Sequence, residues 1–449
     1  MLSPNFAPLT PVVCFIACTL AVCLIGCGGD KQQPADTLKT PGRFAIFATC
    51  DTQGWIEPCG CASGQSGGLS RRATLIDELA GDDERLLVSV GGAALGNQPY
   101  DVEKFKAIID GEEEMGCLIH NIGASELNLD LPETDGLTFL STNLSTPPPN
   151  IKSSVHVRKG AARILVLGVV SPKLAPKNSS WEIQSPERSI LNAIDQLSLA
   201  PDCVVVLAYM DQDELKELAS NVPEVDVIIG GKTGQSIAPT KYGRTLLTAV
   251  ANKGKFVARV QGETAGKFTS VKADLHEVSS KYDEDSVQQA NLVSFRDRLA
   301  ELDFPASKTS FVPAASDDGN RFAGSESCQD CHESDTEIWK DTPHAHAWHT
   351  LEEVGAHVDS SCQRCHTIGF GGNGGFVNRK TTMNRIDVGC ESCHGPSSKH
   401  VADETVKTPW LAADSCLVCH DHENSPHFEY DSYWSQVEHG NRETSDGAE

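Results

Sequence analysis

The sequence predicts an α/β domain over residues 42–278, joined through a helical linker, 279–322, to a small, mainly α-helical region, 323–442, with 443–449 as a tail. Two patterns predict this order. Apolar runs bounded by Gly or Pro alternate with amphipathic stretches in the first part, which is the signature of a buried sheet covered by helices. The last part repeats one pentapeptide four times. At 449 residues the chain has room for two domains or more.

Taken in order, the chain opens with an apolar run from Val12 to Ile25, about 21 Å long as a helix and short of the roughly 30 Å of a bilayer core. Residues 1–26 therefore read as a secretory signal. Leu24-Ile25-Gly26-Cys27 resembles a bacterial lipobox, in which Cys27 would be lipidated and become the first mature residue. Residues 27–41, polar and Pro-containing, read as a tether.

From Gly42 the predicted strands are Phe44-Ala48, Leu86-Val90, Cys117-Ile122, Leu137-Leu140, Ile164-Val170, Val204-Ala208 and Val225-Ile229. Helices are predicted over Leu69-Leu79, Val102-Met115, Ser189-Leu199 and Asp213-Ala219. Thr245-Val250, Phe256-Gln261 and Phe268-Leu275 have no helix between them and should pair antiparallel at the end of the sheet. In the linker, Val287 to Leu302 reads as a helix with Val287, Leu292, Phe295 and Leu299 near one face.

The pentapeptides are Cys328-Gln-Asp-Cys331-His332, Cys362-Gln-Arg-Cys365-His366, Cys390-Glu-Ser-Cys393-His394 and Cys416-Leu-Val-Cys419-His420. Each is C-x-x-C-H, the c-type haem attachment sequence. Two thiols three residues apart lie on one helical turn and can add to the two haem vinyl groups, and the next His can ligate the iron. Zinc ribbons also use paired C-x-x-C, but have no need of a His after every second Cys. The expectation is four haem c groups, with His332, His366, His394 and His420 as proximal ligands.

About 120 residues for four haems is roughly 30 per haem, too few to surround each porphyrin, so the haems should pack on one another and form much of the core. Met383 is the only Met in the region, so at least three irons lack His/Met ligation and should sit at low potential. Second-ligand candidates are His344, His346, His349, His357, His400, His422, His427 and His439. The region is also acidic, with 22 Asp and Glu against 8 Lys and Arg from Ala323 onward, in a chain of formal charge −25. That balance argues against nucleic acid and for basic or small partners.

Two stretches resemble known families. Thr49-Cys50-Asp51-Thr52-Gln53-Gly54 and Gly67-Gly68-Leu69-Ser70-Arg71-Arg72-Ala73 look like the opening of the calcineurin-like metallophosphoesterases of the 5′-nucleotidase type. Ser89-Val90-Gly91-Gly92, Ile122-Gly123-Ala124-Ser125-Glu126, Leu207-Ala208-Tyr209 and Ile229-Gly230-Gly231-Lys232-Thr233-Gly234 follow in that family's order. The resemblance implies a metallophosphoesterase-like sandwich with a two-metal site. Yet the family's Asp-x-His is Asp51-x-Gln53 here, and its bridging Gly-Asp is Gly91-Gly92. Its Asn-His is Ala124-Ser125, its next His is Tyr209, and its Gly-His-x-His is Gly231-Lys232-Thr233-Gly234. One ligand of about seven remains, too few for a two-metal clamp, and the domain reads as a pseudo-phosphoesterase. Pro58-Cys59-Gly60-Cys61 lies just after the degenerate first motif, near Cys50. Cys50, Cys59 and Cys61 can be read equally as a disulfide or as a redox or soft-metal thiol site. Cys117 and Cys203 read as buried small hydrophobes.

From Gly324-Ser325-Glu326-Ser327-Cys328, through Trp339 with His344-Ala345-His346-Ala347 and Gly389-Cys390 to Gly395-Pro396 with His400, to Tyr433-Trp434 with His439-Gly440, the second part resembles the tetrahaem cytochrome c-554 family. The resemblance implies a multihaem cytochrome c domain packed around its haems, distal ligation by His344, His400 and His439, and one five-coordinate haem. His346, His349 or His357 would be the residue to fill that gap. The function expected is electron relay between periplasmic redox proteins or quinone-linked oxidoreductases, at a membrane reached by the lipid anchor. The alternative is an oxidoreductase acting on a small nitrogen or sulfur compound at an open haem iron.

Overall fold

The computed structural model describes residues 42–58, 64–81, 83–177, 181–251, 253–265, 268–313, 319–408 and 412–440. Cys27, Cys59 and Cys61 lie outside them.

Thirteen strands form two sheets among the described residues. The first contains β1 (Gly42–Thr49), β2 (Glu84–Ser89), β3 (Cys117–Asn121), β4 (Thr138–Leu140) and β5 (Ile151–Lys152). The second contains β6 (Val155–Lys159), β7 (Ala162–Val170), β8 (Cys203–Tyr209), β9 (Val227–Gly231), β10 (Ile237–Tyr242) and β11 (Thr245–Ala249). The chain then returns to the first sheet with β12 (Phe256–Ala265) and β13 (Phe268–Glu277), giving the orders β13-β12-β1-β2-β3-β4-β5 and β10-β11-β9-β8-β7-β6.

Alternation along the strands places both sheets. Phe44, Ile46 and Ala48 of β1 pack against Val205 and Leu207 of β8 between the sheets. Ala45 and Phe47 turn to the outer face, under α1 (Leu69–Ala80) and α2 (Pro99–Glu114), while Val204, Val206 and Ala208 turn to the opposite one, under α3 (Pro186–Asp195) and α4 (Gln212–Asn221). Both faces of each sheet are covered, which is why these strands read as unbroken apolar runs.

Three expectations change. Of the last three runs only β12 and β13 pair antiparallel with each other; β11 pairs parallel with β9 in the second sheet. The third helix begins at Pro186, where the Ser185 hydroxyl accepts from the Arg188 N–H, and it ends before Leu199, which is 65% exposed. In α5 (Ser286–Leu302) Val287 is exposed and Gln288 is buried in its place, donating to the Gly111 carbonyl at 3.1 Å. Leu292, Phe295 and Leu299 pack this helix onto the core beneath α1 and α2.

Beyond residue 319 the helices are short: α6 (Glu333–Lys340), α7 (Ala347–Glu353), α8 (Ser360–His366), α9 (Cys390–His394), α10 (Ser398–Ala402), α11 (Ala412–Leu417) and α12 (Tyr430–Trp434). Among the described residues their apolar support is a small cluster of Ala306, Trp348, Leu351, Ala356, Phe370 and Phe376, with Val358 joining the core of the body. Among the described residues no helix is long and apolar enough to cross a membrane.

Candidate haem-attachment sites and the polar cluster at the sheet ends

Each pentapeptide folds so that its histidine follows a helical turn. The His332 N–H donates to the Cys328 carbonyl at 2.9 Å and the His420 N–H to the Cys416 carbonyl at 2.8 Å, while the second and third motifs lie within α8 and α9. Asp359 caps α8 by accepting from the Ser361 N–H at 2.8 Å, and α9 is closed by Gly395 at φ 71°, a backbone region that glycine enters freely. Glu391, buried inside the third motif, accepts from the N–H groups of Ala323 (2.9 Å), Gly324 (2.6 Å) and Ser397 (2.8 Å), and so ties α9 to the entry of the region. Sequence reasoning overlooked it as the variable position of a motif; only its acidity in a C-x-x-C hinted at a role.

The fold brings three motif histidines against three of the expected distal ones. Ring centroids are 6.2 Å apart for His332 and His400, 6.2 Å for His420 and His344, and 5.9 Å for His394 and His439. Two imidazoles ligating one iron from opposite sides, at about 2 Å per metal–nitrogen bond, hold their centroids about 6 Å apart. The donor chemistry fits as well. Nδ1 of His366 faces the Ala347 carbonyl at 2.6 Å, Nδ1 of His400 the Val406 carbonyl at 2.9 Å, and Nδ1 of His439 the Val437 carbonyl at 2.8 Å. A carbonyl only accepts, so Nδ1 carries the proton and Nε2 keeps the lone pair a metal requires. Burial holds His344, His366, His394 and His420 below the usual imidazole range, which favours the neutral, ligating form. His349 lies beside Glu352 and Glu353 at 3.6 Å, and His357 packs edge-on to Trp348 with centroids 6.0 Å apart.

Six of the eight motif cysteines also meet across motifs. Cys328 and Cys390 share a hydrogen bond, as do Cys365 and Cys419, and Cys393 lies within electrostatic reach of Cys416. These contacts place the motifs in the order second, fourth, third, first. The residues present therefore fit covalently held porphyrins packed in a row.

The positions that the phosphoesterase resemblance pairs with metal ligands converge at the ends of β1, β8 and β9. Asp51 is buried and accepts from the Tyr209 hydroxyl at 2.9 Å and from Gln53 Nε2 at 2.7 Å, with Lys232 Nζ at 3.9 Å. Tyr209 fills the space a bridging carboxylate would need: a Cβ on Gly92 would lie 2.5 Å from the Tyr209 ring and 2.9 Å from Asp51 Oδ1. Asp51, Gln53 and Lys232 have φ of 53°, 49° and 66°, uncommon for non-glycine residues and clustered at this one site. Among the described residues no group of three His, Cys, Asp or Glu side chains is arranged to hold a metal ion. The Cys50 thiol is fully buried beside these positions, donating to the Gly91 carbonyl at 3.5 Å and packed against Gly231. Cys117 and Cys203 are buried in the cores.

Beneath this site His120 is held between two carboxylates, with Glu112 at 2.7 Å and Glu126 at 3.5 Å, and Glu126 also accepts from the Ala93 N–H at 2.6 Å. Burial by itself would lower the His120 pKa, but the two carboxylates override it and push it up to about 10. A histidine whose folded pKa lies above its unfolded value contributes stability that is complete below about pH 6.5 and is lost as pH rises toward 10. The thermal midpoint should accordingly fall between those limits, and His120→Asn should flatten that fall when melts are recorded across the range.

Over residues 327–395 the chain matches the family described as cytochrome c554 and c-prime. Cytochrome c-554 of Nitrosomonas europaea is 34% identical over 97 residues, which cover 18% of this chain and 41% of that protein; the chain thus spans less than half of this relative's length. A 5′-nucleotidase precursor from Thermus thermophilus superposes with a TM-score of 0.52 at 19% identity, covering 58% of this chain and 59% of its own. Sulfate thiohydrolase SoxB of the same organism, in complex with glycerol, does so with a TM-score of 0.50 at 15% identity, covering 59% and 62%. At such identities the likeness is one of fold. The chain joins a segment similar to the cytochrome c554 family, in which haem c is covalently bound, to an N-terminal body with the fold of the 5′-nucleotidase-type phosphoesterases.

Proposed function

We propose that the protein is an exported electron-transfer cytochrome carrying four covalent haems, and that its phosphoesterase-like body is catalytically dead. The carrying observation is the set of three imidazole pairs with centroids 5.9–6.2 Å apart. Haem c, held at these cysteines and histidines, would supply one-electron chemistry at its iron. The protein's part is to hold each group by two thioethers, to fix the iron between oriented histidines, and to seat the four motifs in a row. His344, His400 and His439 are the distal ligands on this reading. Export follows from the leader, and lipidation at Cys27 would keep the carrier at a membrane, facing periplasmic redox proteins or quinone-linked oxidoreductases. The acidic surface favours partners with a basic face.

Haem quantification by pyridine haemochrome, with intact mass on protein matured beside a cytochrome maturation system, should give four haems per chain. Colourless protein with no covalent iron would end the proposal. A generic phosphate ester with added manganese should be hydrolysed no faster than in buffer. Gly92→Asp, which restores the family's carboxylate, should remain inactive and lower stability by about 2–4 kcal/mol in urea unfolding, because the new side chain meets the Tyr209 ring in a left-handed backbone position. Turnover by this variant would show that the site is merely depleted and not closed.

A further inference from the structure

The α/β body reaches the second haem-attachment motif through a buried polar cluster. Tyr100 and Lys104, one turn apart on α2, meet Asp359, the N-cap of α8. The Tyr100 hydroxyl donates to Asp359, and Lys104 Nζ lies 3.6 Å from Asp359 Oδ2 while donating to Tyr100 at 2.9 Å and to the Ser361 hydroxyl at 3.1 Å. The Lys104 and Asp359 side chains are only 9% and 7% exposed. Arg296 of α5 flanks them, bonding both oxygens of Glu57 at 2.8 Å. Cys362, the first thioether position of the second motif, is half-buried within electrostatic reach of Asp359, Lys104 and Glu57, its N–H donating to the Asp359 carbonyl at 3.0 Å. At the fourth motif the corresponding tie, Lys253 to Glu423, is more open, with side chains 22% and 39% exposed.

We propose that Lys104 and Asp359 set the reduction potential of the haem attached at Cys362 and Cys365, so that the phosphoesterase-like body tunes one member of the haem row. The inference rests on the haem reading above. Reduction adds one electron to the haem; a nearby cation favours the reduced form and a nearby carboxylate the oxidised form, and both act strongly where water is excluded. In the intact protein the two charges oppose each other.

The test is a spectroelectrochemical titration of the full-length holoprotein. Lys104→Met leaves Asp359 unbalanced and should lower one potential step, while Asp359→Asn, which preserves the helix cap, leaves Lys104 unbalanced and should raise the same step. Each shift should be about tenfold in the oxidised-to-reduced ratio, which is about 59 mV for one electron. The Lys104→Met/Asp359→Asn double variant should return near the starting value, with the other steps in place throughout. Loosened packing would move both single variants the same way; that result, or no movement in either, overturns the proposal. If Lys104→Met fails to accumulate, Lys104→Gln, which can still donate to Tyr100 and Ser361, must show the same sign. Peptide mass separates the two readings: no haem on Cys362 and Cys365 refutes the haem assignment, whereas haem present with unmoved potentials refutes only the tuning.

Discussion

Protein produced without haem attachment should keep its α/β body folded and lose the fold of residues 390–440. The helices there hold five or six residues each, far below the roughly 12–15 at which an isolated helix becomes even marginal in water. No described residue after Ile386 belongs to any of the four apolar clusters, so among the described residues no apolar core offsets the entropy of ordering this segment, and the hydrogen bonds of Glu391, Ser398 and Lys399 tie down only its first turns. The body, in contrast, has three large clusters around two sheets. Hydrogen exchange followed by mass spectrometry should show amides of 390–440 exchanging at close to unprotected rates in apoprotein and protected by several orders of magnitude in holoprotein. Strands β1, β2, β7 and β8 should stay protected in both forms. Protection of 390–440 in apoprotein would mean that the polypeptide and not the haem holds this region together.

The two halves were legible in the sequence for different reasons. Buried strands announce themselves because both faces need apolar residues, so Ile164-Val170 and Val204-Ala208 were visible without knowledge of their neighbours. What local pattern did not carry was sheet membership: β11 and β12 are consecutive, yet belong to different sheets. The attachment motifs were legible because thioether chemistry fixes their spacing, whereas pairing of His332 with His400, or of His420 with His344, depends on a fold that brings together residues 68 and 76 positions apart. The Lys104–Asp359 contact was invisible for the same reason. Neither residue carries a motif, and only the packing of α2 against the start of α8 gives the pair meaning.

His400→Met should raise the potential of a single haem by on the order of 100–300 mV, because a thioether donates less to iron than an imidazole and so favours the reduced state. The position tolerates the change in place. Helix α10 is pinned by the Ser398 N–H to the Arg321 carbonyl at 3.0 Å and by the Lys399 N–H to Asn320 Oδ1 at 3.1 Å, neither of which involves the His400 side chain. Lost with the ring is its bond to the Val406 carbonyl, 2.9 Å, which orients the imidazole and has no counterpart in Met. His400→Ala should instead leave the iron at His332 without its sixth ligand and convert one low-spin signal to high spin in the EPR spectrum. The two variants test the ligand by independent readouts, one of potential and one of spin. If both leave the spectrum and the titration unchanged, the 6.2 Å approach of His332 and His400 is a contact between two side chains and not the two sides of one iron.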